Sequence, residues 1–356
     1  MLCEMLGQRG NERSLLRMEK LRILVTGGAG FVGHHVVEHL LKNTDWEIII
    51  LDNLNYAGNL NRLTDIDIWE EEKQRVKFIW HDLRAPISRT TAEMIGELDC
   101  IWHLAAESHV DHSLEDSIPF VLCNVLGTAH LLEFVKKYQP NLKKYIQFST
   151  DEVYGPAPEG VFFKEWDRLK PSNPYAATKA GGDLLSFSFA HAFKLPILVV
   201  RSMNIFGERQ HPEKFIPKTV RAILSNEKVI LHGKNEQEVA SRCWIHARNV
   251  ADALMFLTEK GVPEEIYNVV GEEQSVLDLA NIIAQVIRGE DLKPEEIEFI
   301  DFHRARSGHD RRYALDGEKL AQMNWRPRLS LEDSFRKMVE WMIRPENRKW
   351  LLYSDS

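Results

Sequence analysis

The sequence predicts an α/β fold: a doubly wound parallel sheet followed by a smaller C-terminal α/β lobe that holds the substrate. Three observations carry this expectation. From Leu21 onward, short β-branched runs alternate with segments of helical period, the pattern of successive βαβ units. The first run ends in a glycine-rich turn that leads straight into a helix. The chain has 356 residues, which at about 150 residues per domain suggests two domains.

The strand candidates, in order, are RILVTG (22–27), EIIILD (47–52), VKFIWHD (76–82), DCIWHLA (99–105), YIQFST (145–150) and ILVVRS (197–202). Each is a short, β-branched or aromatic run, so six strands are expected in one buried sheet. Helices are expected over 32–42, 120–138 and 174–192, where apolar residues recur every three to four positions. After Asn204 the rhythm loosens: a segment from His211 to Ser225, the strand VILHG, helix 250–260, the strand IYNVV, helix 276–288 and a last helix over 331–342. The expected division is an N-terminal extension (1–20), a sheet domain (21–203) and a mainly substrate-binding lobe (204–356), with the chain free to cross back between them.

Composition narrows the function. Hydrophobic residues at 44% and charged residues at 28% describe an ordinary folded protein. A net charge of −8 repels a polyphosphate backbone, so nucleic acid is not an expected partner. Cys3, Cys100, Cys123 and Cys243 form no CxxC and show no metal-ligand spacing; they read as reduced thiols, with no metal expected and a cytoplasmic location. The first twenty residues mix Glu, Arg and Lys too thoroughly for a signal peptide, and no run is expected to span a membrane.

The glycine turn is Gly27-Gly28-Ala29-Gly30-Phe31-Val32-Gly33, one residue wider than GxGxxG. Glycines are needed there because the backbone turns sharply, admits a pyrophosphate to a helix N-terminus and packs the helix on the strand. Gly27, Gly30, Phe31, Val32 and Gly33 are therefore expected to hold a dinucleotide on a Rossmann sheet. Asp52 ends the second strand about twenty residues later, where a carboxylate accepts from a ribose diol and repels a 2′-phosphate. The expected cofactor is NAD. Asn53 beside it, Asp82 and Leu83 after the third strand, Leu104-Ala105-Ala106 after the fourth, and Tyr175 and Lys179 further on complete the expected cofactor set. A tight turn with a surface Asp is the plainer alternative, and the ordered run of strand, glycines, helix and acid argues against it.

Two further segments carry chemistry. The fifth strand ends in Ser149-Thr150-Asp151-Glu152, and a later helix begins Tyr175-Ala176-Ala177-Thr178-Lys179. Tyr175 and Lys179, four residues apart, share a helix face, so the ammonium is expected to lower the phenol pKa and make Tyr175 a general base. Thr150 is expected to share the proton of the same substrate hydroxyl.

With these residues the chain resembles the extended short-chain dehydrogenase/reductase family, from Leu21 to about Met342. The triplet Thr150-Asp151-Glu152 is similar to that of the nucleotide-sugar 4,6-dehydratases within it; epimerase relatives usually lack the acid pair and decarboxylase relatives show Thr-Ser-Glu. The resemblance implies that an NDP-hexose, dTDP- or UDP-glucose, is oxidised at C4 and loses water across C5 and C6. Glu152 would take the C5 proton, Asp151 would protonate the departing C6 hydroxyl, and hydride would return to C6. It further implies that Ser108, Asn204, Glu213, Lys214, Arg242, Asn268, Arg306 and His309 contact the sugar nucleotide, while His109 and Asp111 order a loop. Helices 120–138 and 174–192 resemble those that pair relatives into homodimers. The chain departs from the family pattern in the long 233–242 segment, in Gly207-Glu208 where Gly-Pro is typical, in His211 where an aromatic is usual, and in Ser307 in place of proline. The rivals are an epimerase or decarboxylase of the same fold and a silent nucleotide-sugar-binding regulator.

Overall fold

The computed structural model describes residues 20–300 and 312–352. Strands β1 (Arg22–Thr26), β2 (Glu47–Asp52), β3 (Val76–Trp80), β4 (Cys100–His103), β5 (Lys144–Thr150) and β6 (Ile197–Ser202) are the six expected ones. With β7 (Asn204–Phe206), β8 (Val229–His232), β9 (Ser241–His246) and β10 (Ile266–Val269), the chain then builds a second region and returns. The central sheet has seven strands, not six, in the order β10-β6-β5-β4-β1-β2-β3. The seventh is the IYNV run assigned above to the small lobe. It pairs in parallel with β6, Ile266 opposite Val199. Helix Ala247–Lys260 crosses back with it and packs against helix Phe31–Asn43.

Alternation along the strands explains why both faces are covered. Ile23, Val25, Ile48, Ile50, Cys100 and Trp102 face one core with Val36 and Leu40 of helix Phe31–Asn43 and with Leu254. Leu24, Ile49, Leu51, Ile101 and Tyr145 face the other, with Leu131 and Val135 of helix Gly127–Tyr138. Successive side chains point to opposite faces, so a continuous apolar run fills two cores at once. A third core, built on Val220, Leu279, Ile283, Phe335 and Met338, belongs to the smaller lobe. There β7 and β9 pair with β11 (Glu272–Ser275), and β8 pairs with β12 (Ile297–Ile300). The three-residue β7, the polar β11 and the mixed β9 carried no clear alternation that the sequence could reveal.

Strand order reverses between β4 and β1, so the loops after them part to leave a crevice at the carboxyl end of the sheet. Gly27 (φ 71°) turns the chain there, and a Cβ on it would lie 2.8 Å from the Ala105 backbone. A Cβ on Gly33 would lie 2.0 Å from the Gly27 carbonyl oxygen. Gly33→Ala therefore forces the first helix off the turn. The expected cost is about 1–3 kcal/mol, read as a lowered unfolding midpoint, together with weakened NAD binding in titration.

The expected helix 120–138 is not uniform. Val121–Leu126 forms a π-helical segment that continues into helix Gly127–Tyr138. The wider turn delivers Asn124 inward, where its carboxamide accepts from Glu107 N (2.9 Å) and donates to the Glu107 carbonyl (3.0 Å). The run Ile118–Tyr138 is also long and apolar enough to cross a membrane, contrary to expectation. Within the fold it packs on helix Pro174–Phe193, and Asn124 donates to Thr178 Oγ1 (3.0 Å) on that helix.

Candidate active site

The crevice opens into a cleft of about 820 Å³ that runs from the glycine turn, past the end of β5, to the smaller lobe. At its first end lie Gly27, Gly30, Phe31, Val32, Gly33, Asp52, Asn53, Asp82, Leu83, Leu104, Ala105 and Ala106. Asp52 is nearly buried; its carboxylate accepts from Ala29 N (3.0 Å) within the turn and from Leu54 N (2.8 Å). Burial pushes this carboxyl up, and the backbone donors oppose the shift. A neutral His103 fixes the neighbouring strand end. Its Nδ1 is 2.7 Å from Thr26 Oγ1 and its Nε2 3.1 Å from Thr128 Oγ1, while Ala105 N donates to Thr26 Oγ1 (3.2 Å). Burial pushes His103 down to about 3, so the chain of bonds carries no charge. The close turn, the anchored acid and the small residues opposite fit a dinucleotide.

Midway along the cleft lie Thr150, Asp151, Glu152, Tyr175 and Lys179. Asn173 brings the two segments together. Its Oδ1 accepts from Ala176 N (2.8 Å), capping helix Pro174–Phe193, while its Nδ2 donates to Glu152 Oε2 (2.9 Å). Proline at the first helical position fits this start. The pair Asn173-Pro174 is the local signal that marks Asn173, which sequence reasoning passed over. Thr150 Oγ1 donates to Asp151 Oδ1 (3.0 Å), and the buried Asp151 Oδ2 has no hydrogen-bond partner among the described residues. Burial, reinforced by the Glu152 charge, pushes the Asp151 carboxyl up to about 7. It can hold a proton at neutral pH.

Tyr175 corrects one expectation. Burial raises its phenol far above the usual range, with Glu152 and Asp151 adding to the shift and a Thr150 hydrogen bond opposing it. The Lys179 ammonium does not relieve it: Nζ donates to the Phe148 carbonyl (2.6 Å), and burial lowers its own pKa against the pull of Asp183. Helical spacing put the two on one face, but desolvation and the Glu152, Asp151 and Asp183 charges set the direction of the phenol's shift. Asp183 sits beneath, held by Ser149 Oγ (3.0 Å) and Arg201 Nε (3.1 Å).

At the far end lie Ser108, Asn204, Glu213, Lys214 and Arg242, with Tyr313 under the Arg242 guanidinium at 5.3 Å. Lys218 and Arg221 line this end too. Their spacing with Lys214, four and then three residues along one helix face, was the signal for further cations. Asn268 is placed elsewhere, which corrects its assignment to the substrate. It is fully buried, its Nδ2 donates to the Phe163 (3.0 Å) and Asp316 (3.2 Å) carbonyls, and it accepts from the Tyr154 hydroxyl (3.4 Å). Its amide ties two loops to the sheet edge. Arg306, Ser307 and His309 lie outside the described residues.

The family model described as GDP-mannose 4,6 dehydratase matches residues 24–338. The dTDP-glucose 4,6-dehydratase of Escherichia coli is 36% identical, covering 93% of this chain and 95% of the relative. The chain belongs to this nucleotide-sugar 4,6-dehydratase family. The low-salt glycan biosynthesis protein Agl12 of Haloferax volcanii is 37% identical over 90% of this chain and 98% of its own. The crystal structure of DesIV, a dTDP-glucose 4,6-dehydratase from Streptomyces venezuelae with NAD bound, superposes with a TM-score of 0.82 at 34% identity, over 93% of this chain and 98% of DesIV.

One departure from the family's pattern now has a physical account. Glu208 stands in the Gly-Pro position, and its carboxylate meets Arg248 (3.0 Å) and His246 (3.4 Å). Its carbonyl oxygen lies 3.0 Å from His35 Nε2, on the helix that starts at the glycine turn. Burial raises the Glu208 carboxyl, but the His246 hydrogen bond and the His35 and Arg248 charges outweigh it and hold the group well below the carboxylate range. A charged clasp thus joins the cofactor helix to the loop that leads to Glu213.

Proposed function

We propose that this chain dehydrates an NDP-hexose, dTDP-glucose or UDP-glucose, to the NDP-4-keto-6-deoxyhexose, with NAD regenerated in each turnover. The observation that carries the reading is the meeting of Thr150, Asp151, Glu152, Tyr175 and Lys179 in one cleft with the glycine turn and Asp52. NAD, when bound, supplies the hydride acceptor at C4 and the hydride for C6, and its positive ring favours the Tyr175 phenolate. Gly27, Gly30, Phe31, Val32, Gly33, Asn53, Asp82, Leu83, Leu104, Ala105 and Ala106 would hold it, with Asp52 on the ribose diol.

Tyr175 takes the C4 hydroxyl proton while Thr150 hydrogen-bonds the same oxygen. The C4 ketone acidifies C5–H, and Glu152, aimed by Asn173, removes that proton. Asp151 donates its proton to the C6 hydroxyl, which leaves as water, and Glu152 gives its proton back to C5 as hydride arrives at C6. Ser108, Asn204, Glu213, Lys214 and Arg242 bind the sugar and diphosphate, Arg242 being suited to a diphosphate because its fork donates two bonds at once. The dTDP-sugar names of several relatives support thymidine as the base.

Because Asp151 must be protonated, the elimination rate is expected to fall about tenfold per pH unit above pH 7, and Asp151→Asn should leave a low rate without this limb. The sign for stability is the same. The folded chain holds the proton more tightly than the unfolded chain, so this stabilising contribution is complete below pH 3.8 and lost as pH rises through about 7. The function is tested by incubating the protein with dTDP-, UDP-, GDP- and CDP-hexoses and weighing the products. Loss of water, with deuterium from C4 delivered to C6 of the same molecule, is expected; epimerisation or decarboxylation would refute it.

Ile118, Val121, Leu122, Leu126 and Leu184 leave an apolar face exposed on two adjacent helices, which supports a homodimer. A monomeric elution profile would count against it.

A further inference from the structure

The sugar side of the cleft carries a cluster of which the proposed dehydration uses only Glu213. His109 caps the short helix Val110–Glu115 and His112 lies in its first turn; their rings stack with centroids 4.2 Å apart. Glu213 approaches from the loop before helix Phe215–Leu224, its Oε1 3.7 Å from His109 Nε2. One ligand atom from each of the three lies within 4.8 Å of the others. The Tyr56 hydroxyl donates to the same Glu213 oxygen (3.4 Å), and His211 Nδ1 lies 3.5 Å from it.

Two imidazoles and a carboxylate are the donors of a three-ligand zinc-class site with one open position, whereas calcium and magnesium require oxygen ligands. Metal–ligand bonds of about 2.0–2.2 Å set tetrahedral ligand atoms about 3.4 Å apart, so the cluster must contract by roughly an ångström. His112 is exposed, and the contraction requires its ring to turn out of its contacts with His109 and Tyr56. Tyr56 orients the carboxylate, as outer partners of metal ligands do. Against binding stands Lys214 Nζ, 3.9 Å from Glu213 Oε1, which the cation must displace. The affinity is therefore modest.

We infer that His109, His112 and Glu213 form a site for a zinc-class divalent cation whose occupancy excludes the sugar nucleotide. The exclusion rests on the proposed function, which puts Glu213 and Lys214 on the substrate; the metal site itself does not. The test titrates the full-length protein with Co²⁺, a coloured substitute for Zn²⁺, without sugar nucleotide and then with dTDP-glucose. One saturable equivalent with an intense visible band is expected. His112→Ala and Glu213→Gln should each weaken it by at least about tenfold while NAD binding, the check on folding, is unchanged. Saturating dTDP-glucose should bleach the band, and Zn²⁺ should inhibit turnover competitively with the sugar nucleotide in the parent but not in His112→Ala. No saturable band, or equal affinity in both variants, overturns the site. A band that persists under saturating dTDP-glucose overturns the exclusion. A chain inactive on every sugar nucleotide still reports its metal affinity, so the two failures are distinguishable.

Discussion

Glu152→Gln is expected to turn bound NAD into NADH on addition of substrate and then stall, with dehydrated product formed about 10²–10⁴-fold more slowly. The substitution keeps shape and removes only basicity. Glu152 Oε2 accepts from Asn173 Nδ2 at 2.9 Å, and a Gln carbonyl oxygen can accept the same bond, so the Asn173 cap and Tyr175 stay in place. What is lost is the proton acceptor for C5. The loss of negative charge acts on neighbours as well: Glu152 raises both the Asp151 carboxyl and the Tyr175 phenol, so both should titrate lower in the variant. Oxidation at C4 should then proceed at least as readily as in the parent. Rapid mixing with absorbance detection of NADH, followed by quenching and mass analysis, checks both halves. Normal product release would remove Glu152 from the role of base.

Tyr175→Phe is expected to block one step earlier. Without the phenol nothing accepts the C4 hydroxyl proton, so NADH should not accumulate and turnover should fall by about 10²–10⁴-fold. The ring contact with Phe120, at 6.5 Å between centroids, survives the change. Losing a hydroxyl whose ionisation burial opposes should leave the fold unharmed. NAD binding measured by titration is therefore expected to match the parent, which separates lost chemistry from a lost site. The two variants divide the reaction at hydride transfer, one before it and one after. NADH formation at the parent rate in Tyr175→Phe would show that another group takes the proton.

How legible these sites were depends on sequence distance. The glycine turn, Thr150-Asp151-Glu152 and the Tyr175–Lys179 pair each sit within seven residues, and local spacing alone puts their functional groups on one turn or one helix face. Asn173 had a local signature, the cap-and-proline pair, but its bond to Glu152 spans 21 residues and was not readable. Asn268 misled for the opposite reason. Its motif was recognisable, yet β10 joins the central sheet beside β6 and carries the side chain into the core instead of the cleft. The clasp of Glu208 with His35 and His246, and the meeting of His109 and His112 with Glu213, join residues from separate elements that no periodicity connects.

The sequence by itself determined the order of the first six strands and the glycine turn, and it marked the side chains proposed to react, because these follow from steric and periodic rules acting over a few neighbouring residues. Only the tertiary structure decided the seventh strand and the upward shifts of the Asp151 carboxyl and the Tyr175 phenol. Those depend on desolvation and on charges brought together by packing, which are properties of the closed cleft and not of any single stretch of chain.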